Sequence, residues 1–149
     1  MHGNAAPNSY YVRGLIEGYM GSYANAADSY ERYLATDPGN WAALNDYAWV
    51  LLKSERFEEA LKATETGLGY FPDNAWLWNS KAIALFELAR YEEARDAVMR
   101  ASETVGGISE QKWLTAYPGN DPRTAGDGVR TLKDSIAQNM LRIEGATNK

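Results

Sequence analysis

From Tyr10 onward, apolar residues recur at intervals of three and four, the spacing that gathers one face of an amphipathic helix, and no stretch alternates with the period of two that a strand requires. The pattern is interrupted at regular places. Gly21-Ser22 marks a turn, and Asp37-Pro38-Gly39-Asn40 and Phe71-Pro72-Asp73-Asn74 mark sharper stops. Proline lacks the N–H that a continuing helix needs and its ring clashes with the preceding turn. Gly39 and Asn40 tolerate the left-handed conformation that closes a helix. The predicted helices run from Asn8 to Met20, Ala24 to Thr36, Trp41 to Lys53, Phe57 to Gly69, Ala75 to Leu88 and Tyr91 to Thr104, and the last stops at Gly106-Gly107. The class is all-α.

These helices repeat. Phe57-Glu58-Glu59-Ala60 returns as Tyr91-Glu92-Glu93-Ala94, and a weaker copy, Tyr23-Ala24-Asn25-Ala26, precedes both. The interval is 34 residues each time, and it also links Gly14 to Ala48 and Ala82, and Pro38 to Pro72. A small residue, an aromatic, an alanine and a closing proline in fixed order at this period resemble the tetratricopeptide repeat, a helix-turn-helix unit. The resemblance covers about residues 10–101. It departs from the family at the leucine of the opening W-x₂-L-G-x₂-Y, where this chain has Arg13, Tyr47 and Lys81, and Glu17 stands in the tyrosine place of the first repeat. It implies a right-handed α-solenoid with repeats at about 7–40, 41–74 and 75–106, preceded by a flexible leader over 1–9.

The small residues have a packing reason of their own. Helices of a hairpin approach to roughly 8–10 Å only where the contact carries little side chain, so Gly14, Ala48 and Ala82 are expected to face Ala26, Ala60 and Ala94. Tyr23, Phe57 and Tyr91 would then fill the seams between neighbouring repeats.

Beyond Gly107 the period breaks. A short helix is expected around Trp113 and Leu114, and Tyr117-Pro118-Gly119-Asn120 echoes the earlier stops. From Arg123 to Glu144, Val129, Leu132, Ile136, Met140 and Ile143 form one apolar stripe. A solenoid needs an end element that covers the last repeat's apolar edge, so the extension over 107–149 is expected to contain a capping helix; the rival reading is a dimerisation helix.

Composition narrows the function. The 149 residues are 45% hydrophobic and 23% charged, with a formal net charge of −5, which argues against a nucleic-acid or anionic-membrane surface built from clustered Lys and Arg. No apolar run approaches the roughly 18 residues that would span a bilayer, so no membrane insertion is expected. There is no cysteine, hence no disulfide framework or thiolate metal site. These features fit a cytoplasmic protein or the soluble part of a longer chain.

Candidate chemistry is sparse. The one histidine, His2, lies in the leader, so no histidine-based triad is available. Thr124-Ala125-Gly126-Asp127-Gly128 lacks the Lys-Ser/Thr of a phosphate-binding loop. Glu58-Glu59 and Glu92-Glu93 are adjacent on helices and point about 100° apart, so neither pair converges on one bond. Neither an enzyme, a metal site nor a cofactor is expected.

What remains is a surface. The resemblance implies that the first helices of the repeats line a concave groove. Carried onto this chain, its positions include Tyr11, Leu15, Tyr19, Asn45, Trp49, Leu52, Trp76, Asn79, Ile83 and Phe86. One subgroup of the family grips a C-terminal carboxylate with groove Lys and Arg; here those places are mostly aromatic, aliphatic or amide, which argues against such a clamp. Left bare together, the eight aromatic and aliphatic side chains among them would exceed the roughly 300–600 Å² apolar patch that monomers tolerate, and the Asn45 and Asn79 amides could bond a peptide backbone. The expected cover is an apolar or amphipathic peptide of a protein partner, the chain's own tail, or a second copy. The function expected is therefore a peptide-binding adaptor, or alternatively a self-associating scaffold.

Overall fold

The computed structural model describes residues 7–106 and 122–148. The leader residues 1–6, the short helix expected around Trp113 and the stop at Tyr117–Asn120 lie outside the described residues. Among the described residues there are seven helices and no strand: α1 (Pro7–Tyr19), α2 (Tyr23–Thr36), α3 (Trp41–Lys53), α4 (Phe57–Tyr70), α5 (Ala75–Glu87), α6 (Tyr91–Val105) and α7 (Pro122–Thr147). α1–α2, α3–α4 and α5–α6 pack as hairpins, each hairpin packs on the next, and α7 lies against α6 and α5. This is a helical solenoid with a terminal capping helix.

Each hairpin closes in the same way. Gly21, Glu55 and Ala89 adopt left-handed φ angles of 78°, 59° and 59°. The next residue's N–H reaches five back, from Ser22 to Glu17, Arg56 to Leu51 and Arg90 to Leu85, at 2.8, 2.9 and 2.9 Å. The left-handed residue itself bonds to the carbonyl three back, Gly18, Leu52 or Phe86. This pair of bonds is the Schellman closure, which satisfies carbonyls that a helix end leaves orphaned.

The left-handed conformation was expected instead at Gly39 and Asn40, in the stops between repeats. There Asn40 is extended, with φ −84° and ψ 104°, and its side chain accepts the Ala43 N–H at 3.1 Å. Asn74 does the same for Leu77 at 3.0 Å. Both asparagines start the next helix rather than end the previous one, and an N-cap requires the extended region.

The core follows the 34-residue register. Ala26, Ala60 and Ala94, together with Ala48 and Ala82, are all 0% exposed. At Gly14 the tightest neighbour is Tyr30. A Cβ there would lie 2.8 Å from the Tyr30 ring, so the glycine makes room for the large side chain one turn further along α2. Of the three aromatics, Tyr23 fills a seam between repeats, packing edge-on against Trp49 of the second repeat at 5.6 Å. Tyr91 packs on Phe86 within its own hairpin.

The tail stripe is buried as its spacing predicts. Val129, Leu132, Ile136 and Ile143 are nearly inaccessible, and Met140 is partly covered.

Candidate functional site

The first helices α1, α3 and α5 are aligned by the repeat, and the Asn40 and Asn74 caps set where α3 and α5 begin. Between them lies a cavity of about 680 Å³, and α7 contributes Thr131, Leu132 and Ser135 to its wall. Eight of the ten groove residues expected from the register line it: Leu15, Tyr19, Asn45, Trp49, Leu52, Trp76, Asn79 and Ile83. Tyr19 is 91% exposed and Trp49 43%, so these two stand at the rim. Trp76 stacks on Trp41 with ring centroids 5.0 Å apart, across the junction of the second and third repeats.

Tyr11 and Phe86 are placed differently. Tyr11 packs in an aromatic cluster with Tyr30 and Tyr33 and turns its hydroxyl to Asp46 Oδ2 at 3.1 Å. Phe86 lies beneath the Arg142 guanidinium of α7, 4.6 Å from its centroid, and Arg142 also reaches Glu87 at 3.5 Å. Neither ring is part of the cavity wall described above. The two amides expected to hold a peptide are engaged within the fold. Asn45 accepts from Ser80 Oγ at 2.9 Å. Asn79 is 6% exposed, donates to Ser135 Oγ at 3.1 Å and accepts from Asn139 Nδ2 at 2.9 Å. The chain's own tail thus occupies the third-repeat end of the surface.

Asp46 was not singled out in the sequence, yet among the described residues lining this cavity it supplies the one acidic side chain, and no Lys or Arg is among them. Burial pushes its carboxyl up to about 7, opposed by the Tyr11 hydrogen bond, which favours the charged form. Burial, with Asp46 close by, also raises the phenols of Tyr11 and Tyr30 far above their ordinary range. A signal existed: Asp46 sits beside Asn45 in a helix otherwise almost wholly apolar.

One glutamate of each acidic pair on the second helices is held by an arginine. Arg56 makes a two-pronged bond to Glu59 at 3.0 and 2.6 Å, and Arg90 repeats it with Glu93 at 2.9 and 2.7 Å. These exposed bonds hold Glu59 and Glu93 below the usual carboxylate range. Among the described residues no group of three or more His, Cys, Asp or Glu is arranged to hold a metal ion, and no helix is long and apolar enough to cross a membrane.

Stacked helical hairpins with a shared turn geometry, a capped end and a cavity along the first helices define an α-solenoid repeat protein. The chain belongs to the tetratricopeptide repeat family, whose sequence model matches residues 19–71 and again 51–107, together more than half of its length. Its fold is similar to the Sgt2 TPR domain from Aspergillus fumigatus, with 21% identity, a TM-score of 0.69, and 96% of this chain and 82% of that one covered. It is also similar to the TPR2B domain of yeast Sti1 in its pHsp70 complex, with 15% identity, a TM-score of 0.66, and 89% and 96% covered. The second TPR domain of human RPAP3, in complex with the HSP70 peptide SGPTIEEVD, aligns at 21% identity and a TM-score of 0.61, covering 89% and 98%. No curated protein sequence matches the chain significantly.

Proposed function

We propose that this protein is a non-catalytic interaction module that holds an apolar or amphipathic segment of a partner protein along the first helices, at Leu15, Tyr19, Trp49, Leu52, Trp76 and Ile83. The observation that carries this reading is the aromatic and aliphatic cavity of about 680 Å³, which α7 walls at one end and leaves open at the rim formed by Tyr19 and Trp49. Large aromatic anchors in such pockets commonly dominate binding. The RPAP3 relative holds a peptide ending in Glu-Glu-Val-Asp. The absence of Lys and Arg among the described residues of this cavity wall, and the presence of Asp46, argue against the same acidic ligand here.

The test is partner capture by wild type, Trp49→Ala and Trp76→Ala, with circular dichroism to show that the variants fold. Truncating a dominant anchor costs 2 kcal/mol or more, so capture should weaken at least roughly thirtyfold. Capture undiminished in both folded variants would move the site elsewhere.

A second reading, self-association, draws on a different observation. Val12 and Ile16 on α1 and Met20 just past its end recur every fourth residue and are 52%, 54% and 74% exposed. A mass by light scattering that rises with concentration, and stops rising in Ile16→Asp, would favour it.

A further inference from the structure

Asp46 is the feature that neither the fold nor an apolar ligand explains. It stands on the face of α3 that lines the cavity, partly buried, between the α1 and α2 tyrosines and the α5 wall. Its Oδ2 takes the Tyr11 hydroxyl, and no described residue donates a hydrogen bond to Oδ1. Tyr11 on α1 bonds it, Tyr30 on α2 is an electrostatic neighbour, and the polar groups that line the cavity with it include Asn45 on its own helix, Ser80 on α5 and Thr131 and Ser135 on α7. None of these is cationic. The other acidic neighbour of Tyr30, Glu17, accepts the Ser29 hydroxyl. A desolvated carboxylate without a counter-charge is costly, and a ligand that brings the counter-charge gains what the described residues do not supply.

The same cavity offers aromatic faces. Trp49 and Trp76 are both in its wall, and Trp49 already holds one cation: Lys53 Nζ lies 5.7 Å from its ring centroid at the rim. Indole faces attract ammonium and guanidinium groups through the ring quadrupole.

We infer that the groove recognises a lysine or arginine side chain set within an apolar segment, its charged head paired with Asp46 and its stem lying along Trp49 and Trp76. The charge complementarity is local, and the formal net charge of −5 extends it to the approach of a basic partner. The occupant is thus a basic, apolar peptide segment, opposite in charge to the acidic peptide held by the RPAP3 relative. Burial raises the Asp46 carboxyl to about 7, so the cation preference belongs to neutral and alkaline pH and fades as the group protonates below it.

This inference rests on the groove reading above, and the two fail differently. The probe is a positional-scanning array of acetylated, amidated nonapeptides on a leucine–alanine background, each position varied in turn. It is exposed to the full chain as wild type, Asp46→Asn and Trp49→Ala, all verified as folded. At pH 8 the wild type should prefer Lys or Arg at one position over norleucine by about tenfold, the size of a partly desolvated cation contact. Asp46→Asn should keep capturing the apolar peptides and lose that preference, and wild type at pH 5.5 should behave in the same way. Apolar peptides captured through Trp49 with no cation preference, with an acidic one, or with a preference that survives Asp46→Asn would overturn the inference and leave the groove reading standing. No capture of any nonapeptide by wild type would overturn both.

Discussion

Asn139 of the terminal helix donates to the side-chain oxygen of Asn79 at 2.9 Å, joining two residues 60 positions apart, both more than nine-tenths buried. With Ser135 accepting from the same Asn79 amide, the tail is fastened to the third repeat by polar contacts as well as by its apolar stripe. Asn139→Ala leaves the Asn79 oxygen buried without that donor, and a buried acceptor so orphaned costs about 1–3 kcal/mol. Urea unfolding of Asn79→Ala, Asn139→Ala and the double variant should give a coupling energy of about 1 kcal/mol, since the residues share one bond. A coupling near zero would mean that water replaces the bond without loss.

The cap as a whole should matter more. Val129, Leu132, Ile136 and Ile143 are buried against the last repeat, and each fully buried side chain of this kind contributes about 1.5–3 kcal/mol. Against a typical total of roughly 5–15 kcal/mol, a chain ending before Arg123 should melt far below the full-length protein or fail to fold. Equal melting temperatures would contradict the capping role.

Stability should fall as pH rises through neutrality. The Asp46 carboxyl is held near 7 in the folded state, while an unfolded aspartate titrates near roughly 4. Between those values the folded protein keeps a proton that the unfolded chain releases. Stability therefore declines with rising pH across that window and levels off above it. From pH 5.5 to 8 the loss should be about 2 kcal/mol, or about 4–8 °C in Tm. Glu59 and Glu93 act in the opposite sense, because Arg56 and Arg90 lower their carboxyls, and both have already ionised below this range. Thermal melts of Asp46→Asn should be flat between the two pH values; an unchanged slope would assign it to another group.

The hairpin turns offer a backbone test. Ala89 bears a left-handed φ of 59° that a side chain disfavours, whereas Gly21 meets the same need with φ 78° and open space around its missing Cβ. Ala89→Gly should stabilise by about 0.5–1 kcal/mol and Gly21→Ala should destabilise by about 1 kcal/mol, since the left-handed conformation costs an L-residue roughly 1–2 kcal/mol and glycine returns part of that as chain entropy. Denaturant midpoints of the two variants moving in the same direction would show that φ strain is not what separates these turns.

Most of the architecture was legible in the residues themselves. Proline, glycine and asparagine act through their own backbone chemistry, and a 34-residue repeat of small and aromatic positions can be satisfied only if each hairpin meets its neighbour alike. The helix boundaries, the buried alanines and the apolar stripe of α7 therefore follow from local sequence. The exception is the left-handed residue, which belongs to the hairpin turn rather than to the Pro38 and Pro72 stops. Glu55 and Ala89 accept it although their residue types disfavour it, because hairpin closure outweighs a local preference of about 1 kcal/mol.

Periodicity tells which face of a helix is buried, but it is silent on what lies against that face. That α7 would reach across α6 to α5, engage Asn79 and place Arg142 over Phe86 depends on where a non-repeating tail crosses the array. Tertiary structure alone decided that the two asparagines at one repeat position would have different surroundings, Asn45 bonded to Ser80 and Asn79 enclosed by the tail. It also decided the state of Asp46. An aspartate in a helix is ordinary until neighbouring hairpins strip it of water, and only their packing, with tyrosines from α1 and α2 closing around α3, raises its carboxyl to about 7.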